Sequence, residues 1–264
     1  MKSPKQISTV TIIGSGNVAT ALGTALIEAG ITIIEVFSPN INNSKTLATK
    51  LKCRYINNIE DINTTSDLYI IAIPDKEITN VISQLNDING IVVHTSGSQP
   101  VNILDANHLN YGVFYPLQTF TKNEIVNFKD VPICIESPNK KTSESLIELA
   151  DKISTNVVLL NSNQRQHLHL TAVTVNNFTN LLYNVANELL DEKEIDFSLL
   201  YPLIRETANK INKVNPAEAQ TGPAKRNDTQ TINKHLELLR EYPEFREIYK
   251  LLSDQITKKY HGKL

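Results

Sequence analysis

The sequence predicts an α/β protein in which a doubly wound parallel sheet is followed by an all-α domain. Short apolar runs alternate with helical patterns from Val10 to about Leu160, and this alternation is typical of a parallel sheet with crossover helices. The strand patterns stop after Asn161, and helical periodicity then continues almost to the end of the chain. The predicted domains are therefore 1–160 and 161–264.

Seven apolar runs form the candidate strands of the first domain. They are nearly continuous in Val, Ile, Leu and Tyr, which favours strands covered by helices on both faces of the sheet. The runs read VTIIG, ITIIEVF, LYIIAIP, GIVVHTS, YGVFYP, VPICIES and VVLL.

The second domain is predicted to consist of four helices. Asp196 and Asp228 are typical N-cap residues, and Pro243 suits a first helical turn. The predicted bounds are 164–190, 196–211, 228–240 and 243–259.

Composition excludes several classes of protein. The 264 residues are 41% hydrophobic, which is enough for a core, and a net charge of -2 gives no global field to attract nucleic acid. No apolar run approaches the roughly 20 residues that span a bilayer, and no signal peptide is expected in MKSPKQISTV. Cys53 and Cys134 give neither a disulfide framework nor a metal site, so a reducing cytoplasm is expected.

A glycine-containing turn after the first strand is the strongest functional signal. Gly14 permits a tight turn, Gly16 lets backbone N–H groups approach a pyrophosphate, and the small Ala19 allows close packing of the following helix. The sheet is therefore expected to be of Rossmann type, with a turn that binds no ligand as the alternative. The predicted cofactor-binding residues of the turn are Gly14, Ser15, Gly16, Asn17 and Val18.

The end of the second strand favours NADP(H) over NAD(H). An NAD site usually carries an acidic residue there, whereas Glu35 lies too early in ITIIEVF and the strand ends at Ser38. Ser38 and Asn40 leave room for a 2′-phosphate, and Lys45 is within reach of it. The alternative is that Ser38 and Asn40 only form a polar turn.

Polar residues that follow the next strands are candidates for the active site, because ligands bind at the carboxyl ends of strands in such sheets. Pro74 is expected to form a wall beside the cofactor, and Asp75 to cap a helix. His94 is the predicted general acid or base, unless it is a structural histidine bonded to backbone. Ser96 is expected to position a substrate oxygen, and Tyr115 with Pro116 to reach the same rim.

An uncharged helical stretch begins the second domain, with no Asp, Glu, Lys or Arg in residues 166–187. At about 100° per residue its apolar face is Leu168, Val175, Phe178, Leu182, Val185 and Leu189. The polar face is Arg165, His169, Asn176, Asn180 and Tyr183. We expect this polar face to border the interdomain cleft or a partner subunit, with a solvated surface as the alternative.

Further candidates follow from this helix and a later loop. His169 is a second candidate for proton transfer, while Asn176 and Asn180 are expected to position the substrate. In TGPAKRND, Lys225 and Arg226 are expected to bind an anionic substrate, and a plain surface loop is equally compatible with the pattern.

The segments GSGNVA, IAIPD, HTSG, FYPLQTF, QRQHLHLTAVTVNNF, YPLIRET and QTGPAKRND resemble a bacterial family in which a Rossmann-like domain of NADP-oxidoreductase type precedes a helical domain of unknown function. The layout is more distantly similar to pyrroline-5-carboxylate reductases and 3-hydroxyacid dehydrogenases. This resemblance implies that the helical domain dimerises. It also implies a cofactor site at Gly14, Gly16, Asn17, Ala72, Pro74 and His94.

Two departures limit what the resemblance implies. The 3-hydroxyacid dehydrogenases carry a catalytic Lys before an Asn pair, whereas Val173 stands at that position before Asn176 and Asn177. The nearer family has His-Pro after the sixth strand, and this chain has Tyr115 and Pro116.

The sequence thus predicts an NAD(P)-dependent oxidoreductase that acts on a small polar substrate bound between the domains. We do not expect a metal, a nucleic-acid partner or a membrane. We expect a homodimer that forms through the helical domain. The alternatives are a non-catalytic dinucleotide sensor or scaffold, and a reductase that uses a flavin or deazaflavin.

Overall fold

The computed structural model describes residues 6–105, 110–121 and 126–262 and contains the predicted sheet with one additional edge strand, Arg54–Ile56, which was not predicted because two of its three residues are exposed. Its eight strands are arranged in the order β3-β2-β1-β4-β5-β6-β7-β8. The order reverses between β1 and β4, so the carboxyl ends of these two strands flank the crevice where such sheets bind ligands. The strands are β1 Thr9–Ile13, β2 Thr32–Phe37, β3 Arg54–Ile56, β4 Leu68–Ile71, β5 Ile91–His94, β6 Tyr111–Pro116, β7 Ile133–Glu136 and β8 Val157–Leu159.

The sheet is parallel from β3 to β6, as predicted, but β7 pairs with β6 in the antiparallel direction. β8 then runs parallel to β7. A parallel pair needs a crossover connection, usually a helix. The described residues between β6 and β7 hold only a 3-10 helix, Phe128–Asp130, so the chain returns in the opposite direction.

Helices cover both faces of the sheet, which confirms the doubly wound arrangement. Four α-helices lie between the strands in the described residues: α1 Asn17–Glu28, α2 Ile41–Leu51, α3 Asp75–Ile82 and α4 Lys140–Ile153. Leu22 of α1, Leu47 of α2 and Leu149 of α4 pack in one buried cluster, and Ile78 of α3 packs in another. Successive side chains of a strand point to opposite faces, so the sheet contributes to both clusters.

The chain forms two compact units, 1–177 and 178–264. The helices after the sheet are α5 Ser162–Val173, α6 Thr179–Asp191, α7 Tyr201–Lys210, α8 Pro216–Ala219, α9 Thr229–Leu238 and α10 Pro243–His261. Where one helix was predicted over 164–190, a π-helical turn, Thr174–Phe178, separates α5 from α6. None of the described helices combines the length and apolarity needed to cross a membrane.

The predicted starts of the last two helices of the second unit are confirmed, whereas the α-helix predicted from 196 begins at Tyr201. The Asp228 carboxylate accepts the Thr231 N–H at the start of α9, and Pro243 is the first residue of α10. Asp196 caps a short 3-10 helix, Phe197–Leu200, that leads into α7.

The second unit has very little buried surface of its own. Among its described residues only Ala224 and Ser253 are buried. Large apolar side chains are instead exposed along its helices: Phe178, Leu181, Leu182, Leu199, Leu203, Leu238, Leu251 and Leu252. Helices in proteins derive most of their stability from packing an apolar face against another element, and these side chains are apolar surface that the unit leaves exposed.

Candidate active site

A cavity of about 920 Å³ lies where the strands of the first unit end. All of its lining residues belong to the unit 1–177, and its size is at the upper end of the range for ligand pockets. It brings together most of the predicted site: Gly14, Ser15, Gly16, Asn17, Val18, Ser38, Ala72, Pro74, Ser96 and His169. Tyr115 and Pro116 also line it, as predicted.

The glycine turn is held tightly against the end of β4. Gly14 adopts φ +118°, and a Cβ at this position would lie 2.1 Å from the Ala72 carbonyl oxygen. Its N–H donates to the Phe37 carbonyl at 2.8 Å, which ties the turn to β2. Position 14 therefore requires glycine for the fold itself.

Gly16 is different, because no residue other than its two chain neighbours has an atom within 4 Å of the place where its Cβ would be. It is the N-cap of α1, no side chain caps this helix end, and the first turn carries no acidic residue. The free N–H groups and the partial positive charge of the helix suit a phosphate. The open space beside Gly16 thus fits the pyrophosphate of a dinucleotide.

Two further residues of the turn have identified contacts. The Asn17 amide donates to the Phe120 carbonyl at 2.7 Å, which fixes the loop after β6 against α1. The Ser15 hydroxyl donates to the Ser38 hydroxyl at 3.1 Å. Ser38 is 5% exposed and lines the cavity.

The other polar groups near the end of β2 have structural roles. The Asn40 side chain caps α2 by accepting the N–H groups of Asn42 and Asn43 at 3.0 and 3.3 Å. Glu35 is fully buried, accepts the Asn63 N–H at 2.6 Å and lies 3.4 Å from Arg54. Burial raises the pKa of Glu35, and the Asn63 bond and Arg54 oppose the shift.

The charged residues on the cavity wall are acidic. Asp75 and Glu77 line it, whereas Lys45 does not, and the described lining residues include neither Lys nor Arg. Asp75 is the first residue of α3 rather than its N-cap, which is Pro74. Its carboxylate instead accepts a hydrogen bond from the Ser98 hydroxyl.

His94 has no exposed surface and does not line the cavity. Its Nδ1 accepts the Ser96 N–H at 3.1 Å. Burial, with the nearby Arg165 guanidinium as the second cause, lowers the pKa of His94 to about 4, so the ring is neutral at neutral pH. The structure thus gives no support to His94 as the proton donor and favours the alternative of a structural histidine.

Ser96 holds the loop after β5. Its hydroxyl oxygen accepts the N–H groups of Ser98 and Gln99 at 3.1 and 3.0 Å. The residue is 7% exposed and lines the cavity. Its predicted contact with a substrate oxygen would use the hydroxyl hydrogen, because the oxygen already accepts two bonds.

Tyr115 and His169 form the best-defined titratable pair on the cavity wall. The Tyr115 hydroxyl lies 2.9 Å from His169 Nδ1, and the rings meet edge to face with centroids 5.8 Å apart. The sequence placed Tyr115 only on the rim. The signal that could have found it is a Tyr-Pro pair at the end of the sixth strand, where catalytic residues are expected in this architecture.

Arg165, predicted on the polar face of the uncharged helix, is fully buried. Its guanidinium donates to the Glu136 carboxylate and to the Gln99 carbonyl. The N–H and the hydroxyl of Ser162 also donate to the Glu136 carboxylate, at 2.8 and 2.9 Å. This cluster joins the start of α5 to the end of β7 and to the loop after β5.

The other predicted substrate residues do not line this cavity. Asn176 is exposed on the π-helical turn, and Asn180 is exposed at the start of α6. Lys225 lies in a 3-10 helix, Ala224–Arg226, with its ammonium 5.1 Å from the centre of the Tyr260 ring. Arg226 is exposed in the same 3-10 helix.

Two family models match the chain. Residues 2–114 match a Rossmann-like domain, and residues 131–256 match a domain of unknown function (DUF2520). A comparison with curated proteins gave no match.

Three similar solved structures span nearly the whole chain. A protein of Bacteroides fragilis, described as a "putative NADP oxidoreductase", is 36% identical with a TM-score of 0.89, and 96% of this chain and 98% of that chain are covered. A Thermotoga maritima protein is 19% identical with a TM-score of 0.72, covering 94% of this chain and 97% of that chain. An imine reductase of Myxococcus stipitatus in complex with NADP+ is 15% identical with a TM-score of 0.64, covering 97% and 96%.

The Thermotoga maritima and Myxococcus stipitatus structures show similarity of fold alone. The Bacteroides fragilis protein is similar enough in sequence to show the family. At 36% identity over nearly the full length of both chains, this protein belongs to the family in which a Rossmann-like domain is joined to a DUF2520 domain.

Proposed function

We propose that this protein is an NADP(H)-dependent oxidoreductase whose N-terminal unit binds the cofactor in the cavity at the strand ends. The observation that carries the proposal is the space beside Gly16, which lies at an uncapped helix N-terminus. The description of the Bacteroides fragilis relative as a "putative NADP oxidoreductase" supports the same activity.

The residues of the cavity have distinct parts in this proposal. The backbone N–H groups at 16–18 would hold the pyrophosphate, while Ala72 and Pro74 would pack beside the cofactor. A bound nicotinamide supplies or accepts hydride. The chain orients the substrate and moves the proton, with Ser96 and His169 as the proposed contacts.

Ser38 is the proposed determinant of cofactor type. A carboxylate at the end of β2 would repel a 2′-phosphate, and here that position holds a neutral hydroxyl. Glu35 is already paired inside the unit. NADP(H) is therefore proposed over NAD(H), even though no Lys or Arg lies among the described lining residues.

Thermal shifts with NADPH, NADP+, NADH and NAD+ test the proposed function. A ligand that binds only the folded state stabilises it by about 2.7 kcal/mol when present at about 100 times its Kd. We expect a clear rise in Tm with the phosphorylated pair and a smaller one with the other. No rise with any of the four would refute the proposal and favour a flavin, a deazaflavin or a scaffold role.

We further propose a homodimer that forms through the helical unit. Four apolar side chains of this unit are each more than half exposed: Phe178, Leu199, Leu203 and Leu238. Obligate dimer interfaces are rich in such side chains. Asn176, Asn180, Lys225 and Arg226 do not line the cavity, and the substrate contacts expected of them stay predictions outside this proposal. The proposed location is the cytoplasm, where the free Cys53 and Cys134 stay reduced.

The mass of the particle in solution tests the dimer. We expect the wild-type chain to have twice the mass of one chain, and Leu203→Asp in α7 to shift it toward the monomer, because a carboxylate in an apolar interface loses its hydration. Arg205→Glu, about 200° around the same helix, is the matched control and should leave the mass unchanged. A monomeric wild type at micromolar concentration would contradict the dimer.

A further inference from the structure

The phenol of Tyr115 and the imidazole of His169 meet on the wall of the cavity. They come from separate elements, β6 and α5, and their polar atoms lie 2.9 Å apart. Tyr115 is 8% exposed and His169 is partly exposed, so the pair has an inner, buried member and an outer member. This order is suited to passing a proton from the more exposed imidazole to the buried phenol.

The surrounding loop fixes the histidine ring. A Cβ at Gly97 would lie 2.6 Å from the ring, so only glycine allows the loop to pass so close. One turn before His169, Arg165 donates to the Gln99 carbonyl, and the Gln166 amide donates to the Ser98 carbonyl at 2.7 Å. The helix and the loop are thus joined one turn before the ring.

The environment of Tyr115 keeps its proton in place. Burial, assisted by Cys134 and opposed by Arg165, raises the pKa of Tyr115 to about 12. The phenol is therefore protonated at neutral pH. It can still donate to a much stronger base, such as the anionic oxygen or nitrogen that develops when a carbonyl or imine accepts hydride.

We propose that Tyr115 is the proton donor of the reaction and that His169 restores its proton. The proposal rests on the oxidoreductase function above. Hydride from the cofactor forms the new C–H bond, and the π electrons of C=O or C=N move to the heteroatom. That heteroatom takes the proton of Tyr115 Oη. His169 then gives its Nδ1 proton to the phenolate while Nε2 accepts one from water, which leaves as hydroxide, so the imidazole stays neutral.

The proposal also narrows the class of substrate. The group to be reduced must bring its oxygen or nitrogen within hydrogen-bonding distance of Tyr115 Oη. The acidic groups Asp75 and Glu77 and the absence of Lys and Arg among the described lining residues disfavour a carboxylate there. Uncharged carbonyl compounds and imines fit this wall.

The test uses the full-length wild-type protein and three variants, with benzaldehyde, cyclohexanone and 1-pyrroline as probes. NADPH affinity is measured first, by fluorescence, and NADPH oxidation is then followed for each probe. We expect Tyr115→Phe to bind NADPH as tightly as the wild type, while kcat/KM falls by about 100- to 10,000-fold, the range for loss of a general acid. Tyr111→Phe removes a hydroxyl from the same strand outside the cavity and should change neither quantity.

His169→Asn separates proton transfer from a purely structural bond. An amide can still hydrogen-bond to Tyr115, but it cannot accept a proton at one atom while releasing another, so we expect kcat/KM to fall at least about tenfold. Full activity in Tyr115→Phe or His169→Asn would overturn the proposal. So would a wild type that binds NADPH yet reduces none of the probes, whereas absence of NADPH binding would mean that the proposed function itself has failed.

Discussion

Gly16→Val is expected to weaken NADPH binding by about 100-fold or more, equivalent to about 2.7 kcal/mol, without lowering the Tm of the free protein. Gly16 has φ -79° and ψ -169°, an extended conformation that valine adopts readily. No residue other than the two chain neighbours has an atom within 4 Å of the new Cβ. The added methyl groups would instead occupy the space that we assign to the pyrophosphate.

Gly14→Ala is the contrasting variant for this experiment. Its Cβ would lie 2.1 Å from the Ala72 carbonyl oxygen at a φ of +118°, so the main effect should be a loss of stability. Tm and NADPH affinity are measured for both variants. We expect Gly14→Ala to lower the Tm and Gly16→Val to lower the affinity, although the two positions are only two residues apart. Unchanged affinity in Gly16→Val would place the cofactor elsewhere and contradict the assigned site.

Much of the fold could be predicted because each element carries local information. The apolar runs and the glycine turn identified seven of the eight strands and the loop after β1, and side chains such as Asp228 marked helix starts. The direction of β7 could not be predicted in the same way. It depends on how the chain returns after β6, and a strand has the same residue pattern in either direction.

The candidate site was predictable where it depends on strand ends and less so where it depends on packing. Ser38, Pro74 and Ser96 follow strands and line the cavity as expected. His94 also ends a strand, but its side chain is fully buried. The role of Tyr115 depends on its contact with His169, 54 residues later, which no local pattern encodes.

The same reason explains why Arg165 was assigned to a polar face. A charged residue in a helical pattern is usually solvated, and its partner Glu136 is 29 residues away at the end of β7. Only the folded chain brings the two groups together. The ion pair then fixes α5, on which His169 lies, to the end of β7, and the Arg165 bond to the Gln99 carbonyl fixes it to the loop that carries Gly97.

Arg165→Met is expected to lower the free energy of unfolding by about 3 kcal/mol, since removal of one partner of a buried ion pair typically costs about 3–5 kcal/mol. The Arg165 side chain is 1% exposed and that of Glu136 is 14% exposed, so the carboxylate would lose its charge partner in a poorly hydrated site. Ser162 would still donate to Glu136, which is why we expect the lower end of the range. Urea unfolding, monitored by circular dichroism, measures the loss.

The double variant Arg165→Met with Glu136→Leu distinguishes loss of the pair from loss of packing. If an isolated carboxylate causes most of the destabilisation, removing it as well should restore much of the stability, because apolar replacements of buried ion pairs are often neutral. Arg240→Ala removes an arginine from an exposed pair with Glu237 and should leave the unfolding curve unchanged. A loss below about 1 kcal/mol in Arg165→Met, the size expected of a surface pair, would mean that the buried pair does not anchor α5.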